Sequence, residues 1–305
     1  MTLAPIVLFV YNRPWHTQQT IEALQKNELA NESELFIYSD APKNESAKGS
    51  VTEVRELIKN IKGFKQVTVI ERKKNWGLAD SIIDGVTTII HQYGKIIVLE
   101  DDLVTSPYFL KYMNEALDFY KDEEKVWHIS GWNYPIAVDG LGDVFFWRLM
   151  NCWGWATWEN NWQFFEKNTF KLINEFSKEQ IRYLNLDGFN DAWSQVTLNN
   201  ENRIKTWAIY WYATIVKNDG LCLNPVKTFV NNIGLDGSGV HCGDSDFFKT
   251  EIKELRKNVN YTTIFVEDKQ VVNRIKLHYK HVDNNFLYRM LKRIYKIFKR
   301  GLNVK

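Results

Sequence analysis

The stretch Ile96-Ile-Val-Leu-Glu-Asp-Asp-Leu103 decides the fold, because four apolar residues lead directly into three consecutive carboxylates. A short, fully apolar run is typical of a buried parallel strand, and ligand sites in α/β sheets lie just beyond the carboxyl ends of such strands. Adjacent acids repel one another unless a cation holds them, and Mg²⁺ or Mn²⁺ binds carboxylates, water and substrate phosphates. The pattern therefore predicts a metal and diphosphate site at a strand end.

The same three acids have a second interpretation, as a solvated acidic turn between a strand and a helix. Thr105 or Ser106 would then cap the helix, and Pro107 would lie in its first turn. In that case the carboxylates would bind water and no ligand. The motif alone leaves both interpretations open.

Composition and charge limit the class of protein. The 305 residues are 45% hydrophobic and 25% charged, which is usual for globular chains and suffices for one sizeable α/β domain or two small ones. The formal net charge is +2, but residues 284–305 carry seven Lys or Arg and no acid, which leaves −5 for the rest. Because binding to nucleic-acid phosphates depends on many cationic contacts, we expect no nucleic-acid partner.

Cysteine use and apolar runs bear on the compartment. Cys152, Cys222 and Cys242 are far apart and form no C-x-x-C pair, so a disulfide framework or a structural zinc site is not expected. The apolar start of the chain lacks a basic region and a cleavage site, and no apolar run reaches the ~18 residues of a membrane span. These features favour a reducing cytoplasm.

Strand-like and helix-like patterns alternate through the first third of the chain. Such alternation predicts an α/β fold with a mostly parallel, Rossmann-like sheet flanked by helices on both faces. Gly94 is expected to end a helix in the left-handed conformation. The predicted strands are residues 6–11, 35–39, 67–71 and 96–99, and the predicted helices are 17–25, 51–61 and 78–93.

The second half of the chain is rich in tryptophan. Most of these rings are expected in the core, but a tryptophan can also stack on a sugar face while its N–H donates a hydrogen bond. Trp153 and Trp155 are the best candidates for ligand contact, because Gly154 between them permits a bound molecule to approach the backbone. We therefore predict a sugar or acceptor contact at these three residues.

Several motifs follow one another in an order that resembles a known family. They are Ile6-Val-Leu-Phe-Val-Tyr-Asn-Arg-Pro14, Leu99-Glu-Asp-Asp-Leu103, Cys152-Trp-Gly-Trp-Ala156, Asp191 before Trp193, and Leu223-Asn-Pro225 leading to Gly239-Val-His241. The order, over residues 4–250, resembles the nucleotide-sugar glycosyltransferases of the GT-A fold, and is similar to N-acetylglucosaminyltransferase I and its bacterial relatives in surface-polysaccharide synthesis. The resemblance implies a single catalytic domain over residues 1–283, with a nucleotide-sugar-binding half (1–105) and an acceptor-side half (106–283).

The resemblance implies roles for the acidic residues. Asp102 would contact a divalent metal, Mn²⁺ or Mg²⁺, while Glu100 and Asp101 would address the nucleotide sugar. A metal there would stabilise the charge that develops on a departing diphosphate. An inverting transferase also needs a base for the acceptor hydroxyl, and Asp191 matches the family position, with Asp187 as an alternative. Asp191 has a second interpretation, as an acid that stabilises a helix N-terminus.

Other residues are candidates for contact with the nucleotide sugar, preferably a UDP-sugar. Asn12 and Arg13 follow the first strand, Asp40 follows the second, and Asn75 and Gly77 precede a helix. A guanidinium can bind a diphosphate, and similar enzymes place a carboxylate near the base or ribose. Each residue also has a structural explanation, as a surface turn, a cap or a loop glycine.

His241 follows the glycine-containing segment Asp236-Gly-Ser-Gly239. Imidazole can bind Mn²⁺ or donate a hydrogen bond to a diphosphate, and such a loop can close over a bound donor. The resemblance favours a metal or donor role for His241. The alternative is an ordinary loop histidine that is hydrogen-bonded to the backbone.

The tail 284–305 has apolar residues along one helical stripe and cations elsewhere. This pattern predicts a basic amphipathic helix that binds the inner face of the cell membrane, where a lipid-linked saccharide acceptor would be found. A packed terminal helix or a partner-binding helix is the alternative. Two other functions remain open, a sugar nucleotidyltransferase and a non-catalytic carbohydrate-binding protein. The turn after the first strand lacks the glycine-rich phosphate loop expected of a nucleotidyltransferase.

Overall fold

The computed structural model describes residues 2–238, 246–252 and 257–280. His241, Cys242 and the predicted tail lie outside the described residues. Among the described helices, none is long and apolar enough to cross a membrane.

Strands and helices alternate through the first hundred residues, as predicted, and shorter helices occupy the second half. The strands are β1 (Ile6–Val10), β2 (Glu34–Ser39), β3 (Gln66–Glu71), β4 (Lys95–Glu100), β5 (Leu103–Thr105), β6 (Val126–Ser130), β7 (Val144–Trp147), β8 (Trp155–Trp158), β9 (Leu221–Pro225) and β10 (Val230–Asn232). The α-helices are α1 (Pro14–Gln25), α2 (Lys48–Ile58), α3 (Leu78–Tyr93), α4 (Phe109–Phe119), α5 (Glu159–Trp162), α6 (Thr169–Glu175), α7 (Lys178–Leu184), α8 (Ser194–Asn200) and α9 (Ala208–Lys217); residues 269–280 are also helical.

One eight-stranded sheet runs through the described structure, in the order β3-β2-β1-β4-β8-β6-β9-β7. The first four strands in this order are parallel, while β8 is antiparallel to both of its neighbours and β7 is antiparallel to β9. The predicted α/β class with a mostly parallel sheet is confirmed. Because β4 pairs with β8, the sheet crosses the predicted boundary between the two halves at residue 105.

Both faces of the sheet are covered, which explains the continuous apolar runs of its strands. Side chains alternate between the faces along each strand, so that Val7 and Phe9 join one core cluster while Ile6, Leu8 and Val10 join the other. Helices α3 and α9 pack on the first face, and α1, α2 and α4 pack on the second. The carboxyl end of each parallel strand therefore emerges between two helical layers.

The parallel register brings the ends of β1, β2 and β4 to one edge of the sheet. Val10 is opposite Ser39, and Phe9 is opposite Glu100. Whatever follows these strands along the chain must lie at this edge. The small sheet of β5 and β10 folds over the same edge, since Leu103 pairs with Asn232.

Most predicted boundaries agree with the structure to within about three residues. Helix α3 covers residues 78–93 as predicted, and Gly94 follows it with φ of 75° in the left-handed region. Helix α1 begins at Pro14 rather than residue 17, because a proline at the first helical position loses no hydrogen bond. Helix α2 runs from Lys48 to Ile58, three residues earlier at both ends than predicted.

Candidate functional site

The acidic residues after β4 are enclosed in protein. Asp101 and Asp102 are only 5% and 6% exposed, so the alternative of a solvated acidic turn is wrong. Residues 103–105 form β5, and the next helix begins at Phe109, beyond Pro107. Thr20 of α1 donates a hydrogen bond of 2.9 Å to the main-chain oxygen of Asp101, which ties the turn to the second helical layer.

A guanidinium lies between the two aspartates. Nη2 of Arg13 donates to Oδ1 of Asp101 and, at 2.9 Å, to Oδ2 of Asp102. Arg13 immediately precedes α1, and Asn12 is half-buried in the same turn. Arg13 therefore lies beside the acidic motif with carboxylates as its partners, and its contact with a nucleotide sugar stays a prediction. The other terminal nitrogen, Nη1, is buried and has no hydrogen-bond partner among the described residues.

Glu100 belongs to a different surface from the two aspartates, because it is the last residue of β4 and lines the cavity that also contacts Trp132 and Trp153. Burial, together with the charges of Asp102 and Asp101, raises the pKa of Glu100 to about 8, although Arg13 acts in the opposite direction. Burial also raises the pKa of Asp101 against the charge of Arg13. One guanidinium therefore does not neutralise the local excess of negative charge.

These residues fit a divalent cation. Oδ1 of Asp102 has no hydrogen-bond partner among the described residues, and it is a hard oxygen ligand within an acidic cluster. No group of three or more His, Cys, Asp or Glu in the described part of the chain could hold an ion by itself. A cation at Asp102 would thus need ligands from outside this described set, such as the substrate phosphates and water that Mg²⁺ usually keeps beside nucleotides.

Asp40 organises the loop that precedes α3. Its carboxylate accepts hydrogen bonds from the side chain of Asn75 at 3.0 Å, from N–H of Trp76 at 2.9 Å and from N–H of Gly77 at 2.8 Å. It also accepts the N–H of Ala41 at 2.9 Å. Asp40, Asn75 and Gly77 thus lie together, as parallel strand ends require, and Gly77 has φ of 74°, which favours glycine. Contact of these three residues with a nucleotide stays a prediction.

The ring of Trp76 is partly exposed above this loop. The guanidinium of Arg72 lies 4.1 Å from the centre of the Trp76 ring and 4.9 Å from that of Tyr38. Arg72 also pairs with Asp84 of α3. The aromatic surface is therefore held rigidly beside Asp40, although the sequence analysis did not select Trp76.

A cavity of about 530 Å³ opens beside Glu100. Leu78 and Ala79 at the start of α3 line it from one side, and Asn190, Ala192, Gln195 and residues 204–209 line it from the other. Its aromatic walls include Trp132, Trp153 and Trp207. A second and more polar cavity of about 890 Å³ lies across Tyr134, between residues 133–139, 226–228 and 249–251.

Among the predicted sugar contacts, only Trp153 lines the cavity. Trp155 is 1% exposed and stacks between His128 and Trp207, so its ring is part of the core, and contact of Trp155 with a ligand stays a prediction. The sequence could not distinguish the two rings, because both faces of strand β8 are buried.

Gly154 also differs from its prediction. A Cβ there would lie 2.9 Å from Val230 and 3.0 Å from Phe109, and its φ is 66°. The close approach at Gly154 is therefore made by core side chains rather than by a bound molecule. Its positive φ supplies a further reason for glycine at this position.

The two candidate bases occupy different surroundings. Asp191 is exposed and its Oδ1 accepts the N–H of Ser194 at 3.3 Å, so its side chain caps the start of the α8 turn. Its neighbours Asn190 and Ala192 line the cavity, whereas Asp191 is not among the described lining residues. A catalytic role for Asp191 stays a prediction.

Asp187 forms ion pairs with Arg148 at 3.1 Å and Lys276 at 2.6 Å. Partial burial opposes these contacts, yet the hydrogen bond from Lys276 and the charge of Arg148 keep the pKa of Asp187 below its usual value. This carboxylate is therefore engaged in fastening the helical residues 269–280 to the domain.

Some cavity residues were not predicted. Trp132 is buried and donates from Nε1 to Thr250 at 2.9 Å, and the segment 204–209 contributes Lys205 and Trp207 to the wall. Nδ2 of Asn151, another lining residue, is buried without a hydrogen-bond partner among the described residues. Only the clustering of tryptophans hinted at this surface, since these residues are distant in sequence.

The residues at the carboxyl ends of β1, β2 and β4 lie within a segment that matches a known family. Residues 1–137 match the model of the GNT-I family. The predicted resemblance is confirmed over this segment, which is less than half of the chain and contains Arg13, Asp40 and the acidic triplet. A comparison with curated proteins finds no match to this chain.

Three solved structures have a low similarity to this chain. The mannosyltransferase PcManGT from Pyrobaculum calidifontis, in complex with GDP-Man and Mn²⁺, is 11% identical with a TM-score of 0.33. The alignment covers 52% of this chain and 45% of PcManGT. Residues 1–349 of S. aureus TarS are 11% identical, with 76% and 61% covered and a TM-score of 0.40. Mouse xyloside xylosyltransferase 1 is 11% identical, with 70% and 81% covered and a TM-score of 0.33. The chain thus spans less than half of the length of PcManGT.

Proposed function

We propose that this protein is a glycosyltransferase that moves a sugar from a nucleoside diphosphate sugar to a hydroxyl group of an acceptor. The observation that carries the proposal is the divided acidic turn after β4. Asp101 and Asp102 lie with Arg13 at the strand edge, while Glu100 lines the adjoining cavity. The match of residues 1–137 to the GNT-I family supports the same conclusion.

The nucleotide is proposed to lie along the carboxyl ends of β1 and β2. Asp40 fixes the loop of Asn75 and Gly77, and Trp76 offers a partly exposed ring at this edge. A planar ring beside a loop in a fixed conformation is suited to stacking with a nucleobase. Asn12 and Arg13 follow β1, where the diphosphate would pass toward Asp102. UDP is the preferred nucleotide.

The chemistry needs a stabilised leaving group and a bound acceptor. A divalent metal, Mn²⁺ or Mg²⁺, bound at Asp102 would act as a Lewis acid toward the diphosphate. Arg13 holds the carboxylates in position, and Glu100 faces the space where the transferred sugar would lie. The aromatic walls at Trp153 and Trp207 exclude water and would limit hydrolysis of the donor.

The acceptor is proposed to be a saccharide or a lipid-linked saccharide that enters the cavity beside residues 190–209. Inversion would follow if Asp191 takes the proton of the attacking hydroxyl, which requires its carboxylate to turn from the Ser194 N–H toward the cavity lined by its neighbours. His241 is proposed as a further residue that contacts the sugar donor or the metal.

Attachment to the inner face of the cell membrane is part of the proposal and rests on the sequence of residues 284–305. Each Lys or Arg near an anionic surface contributes about 1 kcal/mol. A flotation assay with phosphatidylglycerol vesicles tests it, with phosphatidylcholine vesicles as the control. The full chain should float and a chain ending at residue 283 should not; equal flotation of both contradicts membrane binding.

A panel of nucleotide sugars, scored for release of the nucleoside diphosphate with and without Mn²⁺, tests the activity without knowledge of the acceptor. We expect slow, metal-dependent cleavage of one donor or a few. A nucleotidyltransferase would instead release pyrophosphate from a nucleoside triphosphate and a sugar phosphate. A carbohydrate-binding protein would show no turnover. Either of those results contradicts the proposal.

A further inference from the structure

The ion pair of Arg13 occupies the same carboxylates that the proposed function assigns to donor binding. A single nitrogen, Nη2, donates to both Asp101 and Asp102, and the Arg13 side chain is 18% exposed. Both aspartate side chains are more buried than that of Arg13, so water stabilises their negative charges little and the ion pair with Arg13 stabilises them instead. A divalent cation that approaches Asp102 therefore meets a positive group already beside it.

Gly234 encloses this ion pair from above. A Cβ at this position would lie 2.1 Å from Oδ2 of Asp102 and 3.0 Å from Nη1 of Arg13. The backbone here is fixed, since N–H of Gly234 donates to Asn232 at 2.8 Å and N–H of Ile233 donates to the main-chain oxygen of Asp102 at 2.9 Å. Only a glycine allows the chain to lie this close to the pair.

Nη1 of Arg13 is left buried without an acceptor among the described residues. An unpaired guanidinium N–H is unfavourable, whereas Arg forms two parallel hydrogen bonds to phosphate groups with ease. Within the described part of the chain, the hydrogen-bonding capacity of the Arg13 guanidinium is therefore incompletely satisfied. An anion that brings further oxygen acceptors would satisfy it better.

We propose that Arg13 is a built-in counter-ion, which keeps divalent cations from the aspartates until a nucleoside diphosphate provides an alternative partner for the guanidinium. The inference rests on the proposed function and deepens it. A cation alone must displace or tolerate Arg13, and a diphosphate alone must approach the carboxylates of Asp101 and Asp102. When both bind, each offsets the unfavourable contact of the other, so their affinities are coupled and the coupling is reciprocal.

Calorimetric titration of the full-length protein with Mn²⁺, with and without UDP, tests this inference apart from turnover. We expect Mn²⁺ alone to bind R13Q at least about tenfold more tightly than the wild type, which corresponds to about 1.4 kcal/mol. UDP should strengthen Mn²⁺ binding to the wild type, and this enhancement should be at least about fivefold smaller in R13Q. R13K keeps the positive charge but lacks the planar guanidinium, so its affinity for Mn²⁺ should lie between those of the wild type and R13Q.

R148Q is the matched control. Arg148 also joins two carboxylates, Asp187 and Glu267, and is largely buried, but it lies apart from the acidic turn. R148Q should lose stability and keep wild-type affinity for Mn²⁺. A change of equal size in R13Q and R148Q would indicate a general loss of structure and contradict the inference.

Two further results overturn the inference while leaving the proposed function intact. One is an affinity for Mn²⁺ that differs by less than about twofold between the wild type and R13Q, while both proteins still bind UDP. The other, which needs no variant to fold, is tight binding of Mn²⁺ to the wild type in the absence of UDP, because Arg13 then does not keep the cation from the aspartates. By contrast, failure of the wild type to bind UDP or GDP with either metal contradicts the proposed function itself.

Discussion

The indole Nε1 of Trp211 donates a hydrogen bond of 3.2 Å to Nδ1 of His128. Nδ1 must therefore be the unprotonated nitrogen, and Nε2 carries the hydrogen that it donates to the main-chain oxygen of Asn151 at 2.9 Å. Asn151 lines the cavity beside Glu100, so this neutral imidazole links the wall of that cavity to α9. Burial lowers the pKa of His128 to about 3, although its hydrogen bond to Asn151 acts in the opposite direction.

This arrangement predicts that His128 makes the folded protein less stable in weak acid, whereas the raised pKa of Glu100 acts in the opposite direction. The unfolded chain binds a proton at His128 below its ordinary pKa of 6.5, while the folded chain does not until about 3. Between these limits the unfolded state binds more protons at His128, so the contribution of His128 to the free energy of unfolding falls by up to ~1.4 kcal/mol per pH unit as the pH is lowered. Urea denaturation at pH 7 and pH 5, compared between the wild type and a variant without this imidazole, measures the contribution.

The variant H128Q isolates this contribution, because glutamine keeps an acceptor and a donor and does not titrate. The difference between wild type and H128Q should shift by ~2 kcal/mol in favour of H128Q from pH 7 to pH 5. A difference that is constant across this range would contradict the assignment.

Asp40 is predicted to stabilise the nucleotide side of the site. D40A leaves the N–H groups of Trp76 and Gly77 without their carboxylate, and we expect a loss of about 2–4 kcal/mol, since buried donors to a charged acceptor are involved. D84A removes only the Arg72 ion pair of a more exposed carboxylate and should cost less than about 1 kcal/mol. Chemical denaturation compares the two; equal losses would show that Asp40 does not organise the loop.

Gly154 is predicted to be required for packing as well as for its backbone conformation. Gly140 has a similar positive φ of 75° but open space around its missing Cβ, so G140A measures the backbone cost alone. G154A adds contacts of 2.9 Å and 3.0 Å with Val230 and Phe109. We expect G154A to be less stable than G140A by about 1–3 kcal/mol, the usual cost of overpacking. Equal stability would mean that the core adjusts to the extra methyl group.

Asp191 can be tested as a base separately from its capping role. D191N keeps an oxygen that accepts the Ser194 N–H, so the α8 turn and the melting temperature should be preserved. If Asp191 takes the acceptor proton, D191N should lower kcat by about 10²–10⁴-fold and leave UDP affinity unchanged. Transfer at a near-normal rate would assign Asp191 to capping alone.

The sequence predicted the parallel half of the fold well because its signals are local. Apolar runs of strand length, Gly94 and the helical stripe of α3 each describe neighbouring residues, and parallel strands bring their ends to one edge. For this reason Arg13, Asp40 and Asp101 were expected at a common edge, and the structure places them there.

Other features depend on contacts between distant residues. The pair of Arg13 with Asp101 spans 88 positions, and the cover by Gly234 depends on the pairing of β10 with β5. The choice between Trp153 and Trp155 depends on which lies at a strand end beside a cavity, and periodicity gives no help where helices cover both faces of a sheet.

The most direct test of the account is calorimetric titration of UDP into the wild type and D102N, with and without Mn²⁺. D102N removes the charge of the proposed metal ligand and keeps an oxygen that Arg13 can contact. We predict that Mn²⁺ strengthens UDP binding to the wild type at least about tenfold and has little effect on D102N. Equal enhancement in both proteins would contradict the metal role of Asp102, and wild-type protein that binds neither UDP nor GDP would contradict the account as a whole.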